Sequence, residues 1–166
     1  MSPTEPRSSH LDAHGHPRMV DITAKPISIR TATATASIHM LPATARMIRE
    51  GGTAKGDVLA VARLAAIGAT KLTPLLIPLC HAIPIEAVEV RFEFADETTL
   101  RCEADVRTSG KTGVEMEALT AVTVACLTVY DMCKSVDRGM ELRSARLLSK
   151  TGGVSGSFVA PAAPPS

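Results

Sequence analysis

Residues Ile85–Thr108 read IEAVEVRFEFADETTLRCEADVRT, and their two-residue alternation decides the fold. Val88, Val90, Phe92 and Phe94 alternate with Glu89, Arg91 and Glu93. Successive side chains of a strand point to opposite faces, so this pattern predicts a strand over Ile85–Ala95 with one apolar and one charged side. The alternation returns over Thr98–Thr108, and Asp96-Glu97 between the two runs is a hairpin turn.

Toward the C-terminus, a helix is predicted over about Gly113–Val136. No charge occurs from Ala118 to Tyr130, so this helix is expected to be buried nearly all round. Thr112-Gly113-Val114-Glu115 at its start fits a capping box. A strand near Leu142–Ser149 follows, then the glycine-rich Thr151–Ser157. Toward the N-terminus, Ile27–Met40 (ISIRTATATASIHM) alternates β-branched and small residues and reads as a strand. Pro42 opens a helix to Glu50 that Gly51-Gly52 ends. A second helix is predicted from about Gly56 to Lys71, with Val58, Leu59, Val61, Ala62, Ala65, Ala66 and Ala69 forming a wide apolar face. Pro74 and Pro78 bracket LTPLLIPLCHAIP, which is expected to be irregular because proline lacks an N–H. Strand, two helices, two strands, helix, strand is the βαββαβ order of an α+β ferredoxin-like sandwich. Its antiparallel sheet is covered by helices, with an extra helix in the first connection. Residues 1–18 are expected to be a flexible arm, 19–158 a single domain, and 159–166 a flexible tail.

The 166 residues suffice for one core. Aromatics are only 2% of them, so Ala, Val, Leu, Ile and Met must build it. A net charge of +1 argues against a nucleic-acid partner. No run of about 20 apolar residues suggests a membrane partner, and no apolar leader precedes the first strand. Cys80, Cys102, Cys126 and Cys133 are scattered, as expected of reduced thiols in a cytoplasmic protein.

Asp131 and Lys134 interrupt the apolar helix near its end, three residues apart and hence on one face. Spacing leaves two readings: a solvated ion pair where the helix leaves the core, or an acid–base couple retuned by burial. Glu117 lies fourteen residues before Asp131, about 21 Å at 1.5 Å per residue. One small molecule does not span that distance on one helix, so a site using both ends needs a second subunit. Lys55 precedes a helix start, where anions are favoured, though the spacing is not that of a P-loop. Cys80-His81 lies among the prolines without a partner at metal-ligand spacing. The loop at Thr151–Ser157 is a candidate anion nest.

Several of these segments together resemble one family. Lys55-Gly56-Asp57-Val58, Leu79-Cys80-His81, the run from Thr108 to Leu119 (TSGKTGVEMEAL), Tyr130-Asp131-Met132-Cys133-Lys134 and Ser149-Lys150-Thr151-Gly152-Gly153 are similar to the cyclic pyranopterin monophosphate synthases. These are the C proteins of molybdenum cofactor biosynthesis. His10-Leu11-Asp12 and Arg18-Met19-Val20-Asp21 match as well, so the resemblance covers about residues 9–158.

The resemblance implies a lyase that converts (8S)-3′,8-cyclo-7,8-dihydroguanosine 5′-triphosphate, a cyclised GTP, into cyclic pyranopterin monophosphate and pyrophosphate. It implies a ferredoxin-like fold, a homohexamer of three dimers, and sites at the dimer interface. Asp131 would be the catalytic acid–base residue, with Lys134 and Lys55 as cationic partners. Leu79, Cys80, His81, Met116 and Glu117 would bind substrate, and Thr112, Glu115, Lys150, Asp21 and Lys25 would complete the pocket. No cofactor is implied, and no dedicated metal site is visible in the sequence. The chain departs from the family pattern at Ala82, where proline is usual, and at Val154, where a basic residue is common. The second departure removes a phosphate contact.

Two other functions remain at this stage. A non-catalytic nucleotide- or pterin-binding module predicts loss of Asp131, Lys134 or Lys55, and all three are present. A purely structural oligomer leaves the charges at both ends of the apolar helix unexplained.

Overall fold

The computed structural model describes residues 11–12, 14–51, 56–154 and 156–161. In chain order these form β1 (Ser28–His39), α1 (Pro42–Arg49), α2 (Val58–Leu76), β2 (Ala87–Phe94), β3 (Thr99–Gly110), α3 (Glu115–Cys133), β4 (Glu141–Thr151) and β5 (Phe158–Val159). The strands make one sheet in the order β2-β3-β1-β4-β5, and every neighbouring pair is antiparallel. Its first four strands have the ferredoxin-like arrangement expected from the sequence.

Alternation sets the layers. Ala32, Ala34, Ala36 and Ile38 of β1 are buried, as are Leu100, Cys102, Ala104 and Val106 of β3. β1 and β3 pair without a break from Ser28↔Gly110 to His39↔Thr99, so these residues line one face. α3 packs on that face and α2 packs on α3. The facing side chains are small: Ala118, Ala121 and Ala125 of α3 and Ala62 and Ala66 of α2 are wholly buried. Cys102 and Cys126 sit in this core, where burial pushes both thiols up to about 12.

Four expectations are corrected. The stretch after Lys71 is helical as far as Leu76, and Pro74 lies inside α2. An interior proline removes one backbone bond, but Ile77 N–H still reaches the Thr73 carbonyl. The Thr73 hydroxyl donates to the Ala69 carbonyl at 3.1 Å, and Thr73 is fully buried. The capping box does not form: Val114 is the N-cap and no side chain caps the helix. Glu115 instead pairs with Lys150 at 2.8 Å. The helix is not buried all round, because Met116 and Leu127 are exposed. A short fifth strand pins part of the presumed tail, with Ala160 N–H on the Leu148 carbonyl.

Within the presumed arm, Leu11 bridges to Pro17, and the Asp12 carboxylate accepts from the backbone of His14 and His16. α2 and α3 are both long and apolar enough to cross a bilayer, with mean hydropathies of 1.4 and 1.3. Their alanine faces are built into the core of the sandwich, whereas Val61, Leu64, Leu72, Leu75 and Leu76 of α2 and Leu127 of α3 remain exposed.

Enlarging a side chain in the alanine contact forces sheet and helix apart. Ala34→Leu is expected to lower unfolding stability by about 1–3 kcal/mol, read as a lower denaturant midpoint. An unchanged midpoint would show that the contact has room to spare.

Candidate active site

Two adjoining hollows open at the start of α3. The smaller, about 150 Å³, is lined by Lys25, Arg30, Lys111 and Lys150 with Thr112, Gly113, Glu115 and the glycine loop at Gly152. The larger, about 590 Å³, is lined by Leu79, Cys80, His81 and Met116 together with the same Thr112, Gly113 and Glu115. A cluster of cations beside a roomier, more apolar cleft is suited to a molecule with a charged end and a ring.

The cationic hollow depends on Arg30. It lies on the core-facing parity of β1, with Ala32, Ala34 and Ala36, and is only 8% exposed. Its Nε donates to the Gly110 carbonyl at 3.3 Å. The loop after β4 comes so close that only glycine fits. Gly152 has φ +93°, and a Cβ there would lie 2.2 Å from the Ile29 carbonyl oxygen. Gly153 has φ +79°, and its missing Cβ makes room for the Arg30 guanidinium. Lys150 pairs with Glu115, while Lys111 Nζ donates to the Thr23 carbonyl at 2.7 Å. Val154 lies on the rim of this hollow, 89% exposed.

The second hollow is anchored from behind. His81 Nε2 bonds the Val20 carbonyl at 2.8 Å, tying the segment before β1 to the loop after α2. The Cys80 thiol donates to Glu117 Oε1 at 3.7 Å. Glu117 is 1% exposed, and its Oε2 has no hydrogen-bond partner among the described residues. Burial raises the Glu117 carboxyl above its ordinary value. Burial first, and the neighbouring Glu117 next, push the Cys80 thiol up to about 11. The Cys80 thiol is therefore a neutral hydrogen-bonding group near pH 7, not a thiolate nucleophile.

Of the residues singled out in the sequence, Leu79, Cys80, His81, Met116, Thr112, Glu115, Lys150 and Lys25 line these hollows. Glu117 stands behind Cys80. Asp21 lies at the margin, where its carboxylate accepts from Thr23 N–H at 2.8 Å; that bond holds it below the ordinary carboxylate range. Lys55 lies outside the described residues. Asp131 and Lys134 are not in this cluster: they close the opposite end of α3. There Lys134 Nζ meets Asp131 Oδ1 at 2.7 Å with side chains 52% and 62% exposed, and the bond raises the Lys134 pKa. Within one chain they form the solvated ion pair of the first reading. Among the described residues, no three His, Cys, Asp or Glu side chains converge as a metal cradle.

Arg30 and Lys111 were not singled out as site residues. Lys111 sat inside a matched block without a role. Arg30 carried a legible signal, as a charge on the apolar parity of a strand.

The sequence pattern of the MoaC family matches residues 19–153. The chain belongs to the MoaC family. A cyclic pyranopterin monophosphate synthase of Rhodopirellula baltica is 56% identical, over 93% of this chain and 94% of that protein. Proteins of the same name are 53% identical in Parvibaculum lavamentivorans (92% and 96% covered) and 51% identical in Brevibacillus brevis (90% and 94%). The match takes in both ends of α3, the glycine loop and the Leu79-Cys80-His81 segment of this MoaC family member.

The buried Glu117 predicts a pH dependence of stability. Its folded pKa is raised, so the stability it permits is full below the ordinary value of 4.5 and is lost as pH rises through the folded pKa. Glu117→Gln removes that titration. The unfolding midpoint of the variant, measured relative to wild type from pH 4 to 8, is expected to rise with pH. A pH-independent difference would show that Glu117 is not proton-linked to folding.

Proposed function

We propose that this chain, a lyase of molybdenum cofactor biosynthesis, carries out the cyclic pyranopterin monophosphate synthase reaction at a site shared between two copies of itself. The activity rests on the family and on relatives named for it at 51–56% identity. The substrate is nucleotide-derived: a cyclised GTP, (8S)-3′,8-cyclo-7,8-dihydroguanosine 5′-triphosphate, rearranged to cyclic pyranopterin monophosphate with release of pyrophosphate. The enzyme works in the cytoplasm.

The observation that carries the shared site is the placement of its parts on one rigid helix. Glu115 and Glu117 lie in the first turn of α3, and Asp131 lies in its last, about 21 Å away by helical rise. A second copy that brings its own α3 end beside the two hollows supplies the missing acid–base pair. Surface chemistry supports such an assembly. Val61, Leu64, Leu72, Leu75 and Leu76 of α2 and Leu127 of α3 are exposed, an apolar surface of the kind that marks protein contacts. We read the assembly as a hexamer built from three dimers.

In this arrangement each part has a task. Lys25, Arg30, Lys111 and Lys150 receive the triphosphate, neutralising the charge that grows on departing pyrophosphate. His81, with Cys80 and Met116, lines the cleft that takes the ring. Glu117, buried and with its carboxyl raised above the ordinary value, offers hydrogen bonds to its polar edge. Ring opening and pterin closure need repeated proton transfers, which Asp131 and Lys134 relay. Beside Asp131 alone, Lys134 is held protonated and is poised to donate. Burial under the second copy lowers its pKa so that it can also accept.

The reaction is tested by incubating purified protein with the cyclised GTP and measuring pyranopterin and pyrophosphate. Asp131→Asn is expected to cut kcat by about 10²–10⁴-fold, the usual contribution of a general acid–base group. Mixing Asp131→Asn subunits with Glu117→Ala subunits should restore activity in hybrid sites. Formation of neither product by the wild-type protein overturns the activity. No recovery despite demonstrated subunit exchange overturns the shared site.

A further inference from the structure

Asp137 is the most buried carboxylate outside the two hollows, at 5% exposure, and the reaction as described does not use it. It follows the last turn of α3, four residues after Cys133. Its Oδ2 accepts from Leu41 N–H at 2.8 Å and from the Thr44 hydroxyl at 3.0 Å. Its Oδ1 accepts from Gly139 N–H at 3.2 Å.

Leu41 is the N-cap of α1 and has no side chain able to cap it. Asp137 therefore supplies, from 96 residues away, both a hydrogen-bond acceptor and a negative charge at the positive end of that helix. The same carboxylate closes its own loop through Gly139. The backbone holds the other side: Lys134 N–H bonds the Tyr130 carbonyl, and Val136 and Asp137 N–H both bond the Cys133 carbonyl. Lys134, Ser135 and Val136 are exposed but strung between Cys133 and Asp137, both buried.

We propose that Asp137 is a positioning residue for the reaction: it clamps the turn carrying Asp131 and Lys134 onto the start of α1, so that the pair points in one fixed direction toward the site of the second copy. The proposal rests on Asp131 and Lys134 being the acid–base pair. A long lysine on an exposed turn has many rotamers and a mobile base. A turn fixed at both ends removes the base motion, and a misplacement of about 1 Å can cost on the order of 10²-fold in rate. A buried carboxylate serving donors on two separate segments is suited to that task, because it cannot release one without leaving a buried polar group unpaired.

Asp137→Asn separates the clamp from the cap. An amide has one acceptor oxygen, so it serves α1 or Gly139 but not both. The variant is expected to lose at least about tenfold in kcat with KM changed less than about threefold, the pattern of a lost transition-state geometry. Leu41→Ser, added to it, gives α1 a local cap and should recover the melting temperature without recovering kcat. Leu41→Ser alone should keep wild-type kcat. If kcat returns together with the melting temperature, or if Asp137→Asn never lowers kcat, Asp137 is only a helix cap and the proposal fails. Asp131→Asn is assayed alongside. Full activity there removes the acid–base pair and this proposal with it, whereas an inactive Asp131→Asn beside a fully active Asp137→Asn removes the clamp alone.

Discussion

Ala32 and Ala34 of β1 and Ala118, Ala121 and Ala125 of α3 are buried to within 1% of completely, and the contact between these small faces governs the molecule. Small side chains let a helix lie close over a sheet, and close packing leaves no room for the helix to slide or roll. α3 is thus a fixed rod on a fixed floor, with polar groups at each end: Glu115 and Glu117 at the first turn, Asp131 and Lys134 at the last. α2 packs along it and also meets β2. The distance between the two polar ends is set by nineteen residues of helix and cannot be shortened by side-chain motion.

The same floor builds the cationic hollow. β1 carries Arg30 on the parity of its alanines, and β4, pairing with β1, delivers Lys150 and then the glycine loop above it. Loop and arginine share one space, which is why Gly152 and Gly153 both adopt left-handed backbone. β3 ends at Gly110, whose carbonyl receives Arg30, and leads directly through Lys111 and Thr112 into α3. Charge recognition and helix start are one continuous structure. Lys150 binds Glu115 here, so the carboxylate that local sequence assigns to a helix cap serves the pocket.

Where the sequence was legible and where it was not follows from locality. β1, β2 and β3 declared themselves through alternation, because burial on one face acts residue by residue. The distance between Glu117 and Asp131 was legible too, since helical rise is a property of the backbone. The capping box failed because the competitor for Glu115 is Lys150, thirty-five residues on, which no local pattern contains. The end of α2 differs from the expectation because proline's cost, about 3 kcal/mol in a helix interior, is offset by the bonds that Ile77 and Thr73 keep around it and by the burial of Thr73. Arg30 is legible only as a charge on the apolar parity of β1, because the groups that give it a role, the Gly110 carbonyl and the glycine loop, lie far along the chain. The role of Asp137 at α1 has no local signal, because Leu41 and Thr44 lie more than ninety residues away; only its bond from Gly139 is local.

The proposed division of the site between two ends of one helix would make assembly part of the chemistry. One chain presents two adjoining hollows at the first turn of α3 and, at its last turn, an exposed ion pair. In the proposed assembly, two copies bring hollows and ion pair into one cleft. The most direct test is an experimental structure of the assembled protein with cyclic pyranopterin monophosphate bound. A product molecule touched by His81 and Glu117 of one copy and by Asp131 and Lys134 of another is the predicted result. A product held entirely by one chain, with Asp131 facing solvent, would contradict it.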